Sequence, residues 1–454
     1  LAEHIETLLH ATRGRPTYTT VHGTEPTHVR AEDLTLDRFL DADTLARAST
    51  LPVRDGTPRV VLLTGANGYL GRFLTLEWLE RLAPRGGTLI CLVRGRDAAQ
   101  ARQRLVAAFD SADPELSKRF RALSEHALEV LPGDISAPEL GLDERTWQRL
   151  ADDVDLIVHT AALVNHVLPY EQVFGPNVLG TAEIIRLALT SRLKPVNYLS
   201  SVGVVLGHAP AADEDADIRV TSPARKLNDE YGNGYATSKW AGEVLLREAH
   251  DLCGLPVTVF RSNMILAHSQ YRGQLNVPDL FTRLLLSVIT TKIAPRSFYG
   301  TSTGNHRPRA HYDGLPVDFT AAAVAALGER HTSGYSTFNV VNPHDDGVSL
   351  DVIVDWLDKA GHPITRIDDY QEWLTRLQAA LRALPQPRQR QSLLPVLHAF
   401  SEPGSVAANG TGVPADRFRA AVRESGLGVD GDIPHITAEL IRKYATDLAA
   451  LSLL

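Results

Sequence analysis

The chain is poor in sulfur: 454 residues contain two cysteines, Cys91 and Cys253, and one methionine, Met264. Two cysteines leave no room for a disulfide framework or a cysteine-based zinc site. The 17 histidines are scattered without a ligand pattern, so no metal is expected. A basic excess is missing too. Lysine and arginine number 46 against 54 acidic residues, a net charge of -8, which argues against nucleic acid as a partner. No run of about 18 apolar residues occurs, so no membrane span is expected. The start lacks a signal-peptide pattern, and the reading is a cytoplasmic protein. The chain opens at Leu1 and its only methionine is internal, as expected of a piece of a longer polypeptide.

What is present centres on Val60 to Arg94. Val60 to Leu63 is an unbroken apolar run, as in a strand buried on both faces of a parallel sheet. Gly65, Gly68 and Gly71 follow. The first allows a sharp exit from the strand. The second lets a pyrophosphate approach the backbone, and the third lets the next helix lie close to the sheet. That helix begins around Tyr69 and Leu70, with Asn67 in the turn, and its free N–H groups would face the phosphates. A second apolar strand, Leu89 to Val93, closes the unit and ends in Arg94. An acid near this position would suit the ribose hydroxyl of NAD, whereas an arginine suits the 2′-phosphate of NADP. Arg96, Arg102 and Arg104 follow, making the region locally basic. Arg94 is the first candidate for the phosphate and Arg104 the second.

Strands continue to alternate with helices: Leu128 to Leu131, Val154 to Val158, Pro195 to Ser201. This predicts an α/β fold, a Rossmann-like doubly wound parallel sheet, with its site at the carboxyl ends of the strands. Asp134 and Ile135 lie at such an end, where adenine would sit; a turn aspartate is the equal alternative. Ala161 and Ala162, small residues at another end, suit close approach of the cofactor. His166 and Tyr170 either line the pocket or serve the structure. Glu214, Asp215 and Asp217 read as a solvated acidic loop.

Tyr235 and Lys239 stand four apart on a predicted helix, Tyr235 to Leu252, and therefore on one face. A nearby ammonium favours the phenolate, lowering the tyrosine pKa and helping it pass a proton. The lysine can also hold the nicotinamide ribose. Ser201, in preference to Ser200, would hydrogen-bond the substrate oxygen.

TGANGYLG, HTAALVNHVLPY, NVLGT, the Ser-Ser strand end and YATSK together resemble the extended short-chain dehydrogenase/reductase superfamily. LICLVRGRDAAQARQRL, GYATSKWAGEVLLREAHDLCGLPVTVFR, GQLNVPDLFTRLLLS, AHYDGLPVDF and IPHITAELIRKYATDL resemble more closely the terminal reductase domain of carboxylic acid reductases, from about Leu51 onward. The chain is also similar to thioester reductase domains that end some nonribosomal peptide synthetases. The resemblance implies that an acyl thioester is reduced with NADPH and released as an aldehyde. The thioester would sit on the phosphopantetheine arm of an upstream carrier domain of the same polypeptide. It implies Ser201, Tyr235 and Lys239 as the catalytic set, and a loop at Ser262 and Asn263 bordering the nicotinamide. Where the family reads Cys-Asp-Met-Ile-Leu, this chain reads Ser262-Asn263-Met264-Ile265-Leu266, which loses one charge. The glycine turn has Asn67 where threonine is frequent.

The organisation expected is a carrier tail and linker over 1–57, an NADP-binding domain over 58–266 with a returning strand near 337–341, and a smaller, mostly helical domain over 267–454 that receives the arm and docks the carrier. Within 1–57, Leu1 to Ala11 reads as a helix, Pro16 to Arg30 as an extended connector and Leu34 to Ala48 as a helical segment. No Gly-Gly-x-Ser-type carrier site occurs there. Two alternatives stand beside this reading: a sugar-nucleotide epimerase or dehydratase of the same superfamily, and a non-catalytic protein that senses dinucleotides.

Overall fold

The computed structural model describes residues 15–53, 56–110, 113–206, 212–300, 307–406 and 412–454. The helix expected over Leu1 to Ala11 lies outside them. The chain forms two compact units. One comprises Leu1–Ala108, Phe120–Ser262 and Val324–Asn339; the other comprises Phe109–Arg119, Asn263–Ala323 and Val340–Leu454. Among the described residues no helix is long and apolar enough to cross a membrane.

The first unit is built on a seven-stranded sheet: β1 (Val60–Thr64), β2 (Thr88–Val93), β3 (Leu128–Pro132), β4 (Leu156–His159), β5 (Val196–Ser201), β6 (Val257–Ser262) and β7 (Tyr335–Val340). The spatial order is β7-β6-β5-β4-β1-β2-β3. β1 pairs in parallel with β2 on one side and β4 on the other, so the winding reverses between β1 and β4. That reversal opens the crevice in which doubly wound sheets bind ligands. The central strands are mostly apolar because helices cover both faces: Val61, Leu62, Leu63, Leu156 and Ile157 are fully buried. Cys91 lies in the same layer, and burial pushes its thiol up to about 12.

Asp155 anchors the start of two strands. Its Oδ2 accepts the backbone N–H groups of Arg59 (2.8 Å) and Val60 (2.9 Å), and its Oδ1 accepts Arg192 Nη2 at 2.9 Å. Asp155→Asn turns an acceptor into a donor against those N–H groups, or leaves Arg192 with the Asp153 and Val154 carbonyls but without its buried anionic partner. Urea denaturation should show a loss of about 3 kcal/mol with the m-value unchanged.

The segment before the sheet is more than the extended connector expected over Pro16 to Arg30. Tyr18–His22 is a short helix with a Thr17/Thr20 capping box, and His28–Arg30 pairs antiparallel with Ala224–Lys226. The His22 ring packs against Tyr18, Tyr170 and Phe174, and its Nε2 lies 3.1 Å from the Tyr170 hydroxyl. Tyr170 is thus held by the structure at this spot. The helical segment expected over Leu34 to Ala48 is shorter, starting at Ala42, where Asp41 accepts Thr44 N–H and caps it.

The second unit is mostly helical. Leu280–Thr291, Leu350–Lys359, Tyr370–Arg382 and Ala438–Ala450 enclose a core that includes Phe281, Leu357, Trp373 and Tyr444. Two short parallel ribbons stiffen it: Ile293–Pro295 with Thr365–Ile367, and Met264–Leu266 with Gly314–Pro316. The buried Tyr444 hydroxyl accepts the Ala267 N–H at 2.7 Å, tying the last helix to the end of the Met264–Leu266 strand.

Candidate active site

The glycine turn leaves β1 with Gly65 at φ +76° and enters α1 (Tyr69–Leu82). Gly68 N–H closes the turn on the Gly65 carbonyl at 2.9 Å. No side chain caps α1 and no acid lies in its first turn. An uncapped first turn with a helix dipole behind it fits a pyrophosphate. Asn67 and Tyr69 are half-buried beside the turn, and Leu70 is buried beneath it. The turn also backs onto the end of β4: a Cβ on Gly65 would stand 2.8 Å from Ala161 N. Ala161 N–H donates to Thr64 Oγ1 at 3.2 Å, which fixes Ala161 and Ala162 at the switch point between β1 and β4.

On the β2 side, Arg94 is exposed at the strand end and Arg104 is exposed on the helix Ala98–Phe109; neither makes an ion pair or hydrogen bond among the described residues. Asp134 Oδ1 accepts both the N–H and the hydroxyl of Ser136, at 2.9 and 2.7 Å, so this carboxylate closes its own turn. The Ile135 carbonyl lies against Gly180, at the start of α2 (Gly180–Ala188).

The helix carrying Tyr235 and Lys239 is α3 (Asn233–Cys253), which starts two residues earlier than expected. Ser201 is the last residue of β5, and its Oγ accepts Gly203 N–H at 3.2 Å. Gly203 packs against Ala236, since a Cβ there would stand 3.2 Å from Ala236 Cβ and 3.4 Å from Ser201 Oγ. Ser201 therefore sits beside the first turn of α3, the turn that carries Tyr235. Ser200 turns the other way, donating to Glu243 Oε1 at 2.5 Å. The Tyr235 ring meets His166 edge-on at 5.2 Å, and His166 stacks on Tyr231 at 5.1 Å, so His166 forms part of the wall around the phenol.

The electrostatics reverse one expectation. Tyr235 is not held low by an adjacent ammonium; desolvation pushes its phenol up to about 12. Lys239 Nζ lies instead over the Tyr198 ring, 3.9 Å from its centroid. Desolvation pulls this ammonium down to about 7, opposed by Glu243. Tyr235 is thus a protonated donor at neutral pH.

A buried network beneath these residues was not visible in the motifs. Asn177, in the π-helical turn Phe174–Leu179, accepts Leu163 N–H at 2.7 Å and donates to Ser238 Oγ at 2.8 Å; Ser238 donates to the Tyr235 carbonyl at 2.7 Å. One side chain so clamps the loop after β4 to the catalytic helix. His159 lies 2.8 Å from Thr64 Oγ1 through Nδ1, and desolvation, followed by the Lys239 charge, pulls it down to about 3. Glu214 is buried and accepts Asn339 N–H at 2.7 Å. Asp217 caps a short helix and pairs with Arg219. These two acids belong to the packing, not to a solvated loop.

Ser262 is buried at the end of β6. Asn263 falls in the second unit, where its Nδ2 donates to Asp313 Oδ2 at 2.6 Å and the other Asp313 oxygen accepts Asn342 N–H. The structure brings the glycine turn, Ala161, Ser201, Tyr235 and Lys239 to the carboxyl ends of one sheet, and Ser262 stands in register with Ser201 there.

Residues 63–324 match the NAD-binding family model described as male sterility protein. The whole chain is 55% identical, over 455 residues, to a carboxylic acid reductase of Segniliparus rugosus and spans 38% of that protein. It is 56% identical, over 458 residues, to a carboxylic acid reductase of Mycobacterium marinum and spans 39% of it, again with the whole chain matched. The chain therefore covers about two fifths of the length of these curated relatives. A solved reductase (R) domain of a nonribosomal peptide synthetase from Mycobacterium tuberculosis superposes with a TM-score of 0.88 at 54% identity, covering 94% of this chain and all of that one.

Proposed function

The chain belongs to the NAD-binding reductase (R) domain family, and on that premise we propose that it reduces an acyl thioester, carried on a phosphopantetheine arm, to an aldehyde with NADPH. The observation that carries the reading is the grouping of Ser201, Tyr235 and Lys239 at the strand ends that also hold the uncapped glycine turn. The first turn of α1 would hold the pyrophosphate, Arg94 the 2′-phosphate and Lys239 the ribose hydroxyls. Bound there, NADPH would supply the hydride that the thioester carbonyl carbon takes up.

The protein's own part is proton and charge management. As negative charge develops on the carbonyl oxygen, Ser201 Oγ donates a hydrogen bond to it and Tyr235 passes it a proton. Tyr235 can do so across neutral pH because its phenol is pushed up to about 12. The resulting hemithioacetal hydroxyl returns its proton to the tyrosinate as the C–S bond breaks. The departing thiolate takes up a proton, and an aldehyde remains. No bond to the protein forms. We further propose that the helical second unit receives the arm and docks a carrier domain of the full polypeptide.

The test is thioester-dependent loss of NADPH absorbance with an acyl-pantetheine, NADH in parallel and products identified by chromatography. Aldehyde formation with NADPH preferred is expected; a chain that reduces no thioester, even with a carrier domain restored, overturns the reading. Arg94→Ala should raise the KM for NADPH about 100-fold, the loss of a charge-assisted phosphate contact, and leave that for NADH unchanged. An equal effect on both cofactors would move the phosphate site away from Arg94.

A further inference from the structure

Tyr235, Lys239 and Glu243 follow one another at intervals of four residues and share one stripe of α3. Glu243 and its partner Arg261 are each only 1% exposed. Arg261 Nη2 donates to Glu243 Oε2 at 2.7 Å and Nε to Oε1 at 3.1 Å, while Ser200 occupies Oε1 as well. A fully buried ion pair of this kind is generally no more stable than well-packed apolar residues of the same volume, so stability alone gives no reason for it. Its position gives one. The carboxylate ties together the penultimate residues of β5 and β6, one before Ser201 and one before Ser262, and it lies one helical turn from Lys239.

We propose that Glu243 is a positioning residue for the reduction: its buried carboxylate keeps the Lys239 ammonium charged for the cofactor and, by holding the Ser200 hydroxyl, faces Ser201 into the cleft. The proposal rests on the reductase reading above. Lys239 Nζ has no carboxylate contact among the described residues, only the Tyr198 ring. Around it and Glu243 stand His159 on β4, Tyr198 on β5, Arg261 on β6, Tyr335 on β7, Arg225, and Tyr235 on its own helix. Burial keeps His159 neutral and the three phenols protonated. Arg261 and Arg225 are positive and oppose an ammonium. Glu214 acts on Arg261. Glu243 is the negative group that acts on the lysine.

The sign follows. A lysine needed as ammonium is lost as pH rises through its pKa. Removing the neighbouring negative charge lowers that pKa, so the alkaline limb moves toward acid. Two readouts are taken across pH: NADPH affinity by cofactor fluorescence, which needs no thioester, and kcat for thioester reduction. In Glu243→Gln both alkaline limbs should move by about one pH unit to lower pH, and Glu243→Asp, which keeps the charge, should restore the wild-type limb. Glu243→Leu with Arg261→Leu removes the whole pair without orphaning either partner, and serves where Glu243→Gln fails to fold; a smaller shift in the same acid direction is expected, because the opposing Arg261 charge leaves with the carboxylate. A uniform loss of activity with the limbs unmoved, in whichever of these variants folds, assigns the pair to packing and overturns the proposal. Failure of the wild-type chain to reduce thioesters would strike the reductase reading alone, because the NADPH titration still reports on Glu243.

Discussion

Replacing Tyr235 by phenylalanine is expected to lower kcat for thioester reduction by about 1,000-fold, the range of a lost general acid, while Tm and NADPH affinity stay at wild-type values. The ring does the packing, edge-on against His166, and phenylalanine keeps it. The hydroxyl makes no hydrogen bond among the described residues, so its removal orphans no partner. What disappears is the proton donor and one hydrogen bond to the developing oxyanion. Because the phenol is pushed up to about 12, the wild-type enzyme should show no tyrosine limb between pH 6 and 9; the limb in that window belongs to Lys239, held at about 7. Near-normal turnover by the folded phenylalanine variant would remove Tyr235 from the chemistry and leave Ser201 or water to supply the proton.

The contrast between the tyrosine expected beside an ammonium and Tyr235 as burial leaves it shows which features a sequence carries. Apolar runs such as Val60 to Leu63 announce buried strands, because burial on both faces demands apolar residues at every position. The glycine spacing and the Tyr-x-x-x-Lys interval are local, and both appear where the sequence places them. Desolvation is not local. It depends on what the rest of the chain lays over a side chain, and here it raises the Tyr235 phenol while Lys239 lies over the Tyr198 ring. Glu214 shows the same failure: an acid among acids reads as solvated, yet a strand more than a hundred residues later supplies the N–H that buries it. Asn177 clamps Leu163 and Ser238, partners 14 and 61 residues away, and only its place in the NVLGT motif hinted at a role. The second unit was legible as helical, but its inclusion of Phe109–Arg119 follows from tertiary packing that no composition change marks.

Gly71→Ala is the substitution expected to damage cofactor binding most. A Cβ at this position would stand 1.9 Å from the Gly65 carbonyl oxygen and 2.7 Å from its carbon, both backbone atoms with no rotamer to swing away. Relief requires α1 to move off the turn. The Gly65 carbonyl cannot retreat freely, because it accepts Gly68 N–H, and Gly65 itself is wedged against Ala161. Such overpacking should shift the first-turn N–H groups that would hold the pyrophosphate, weaken NADPH binding at least about 100-fold, and lower Tm. Gly68→Ala is the control on the same turn. Its Cβ would lie 3.2 Å from that oxygen and its φ is not left-handed, so a loss of only about tenfold is expected. Fluorescence titration of both variants with NADPH reads the difference. Equal losses would mean that glycine at 68 matters for approach of the phosphate itself; wild-type affinity in Gly71→Ala would mean that the dinucleotide is held somewhere other than this turn.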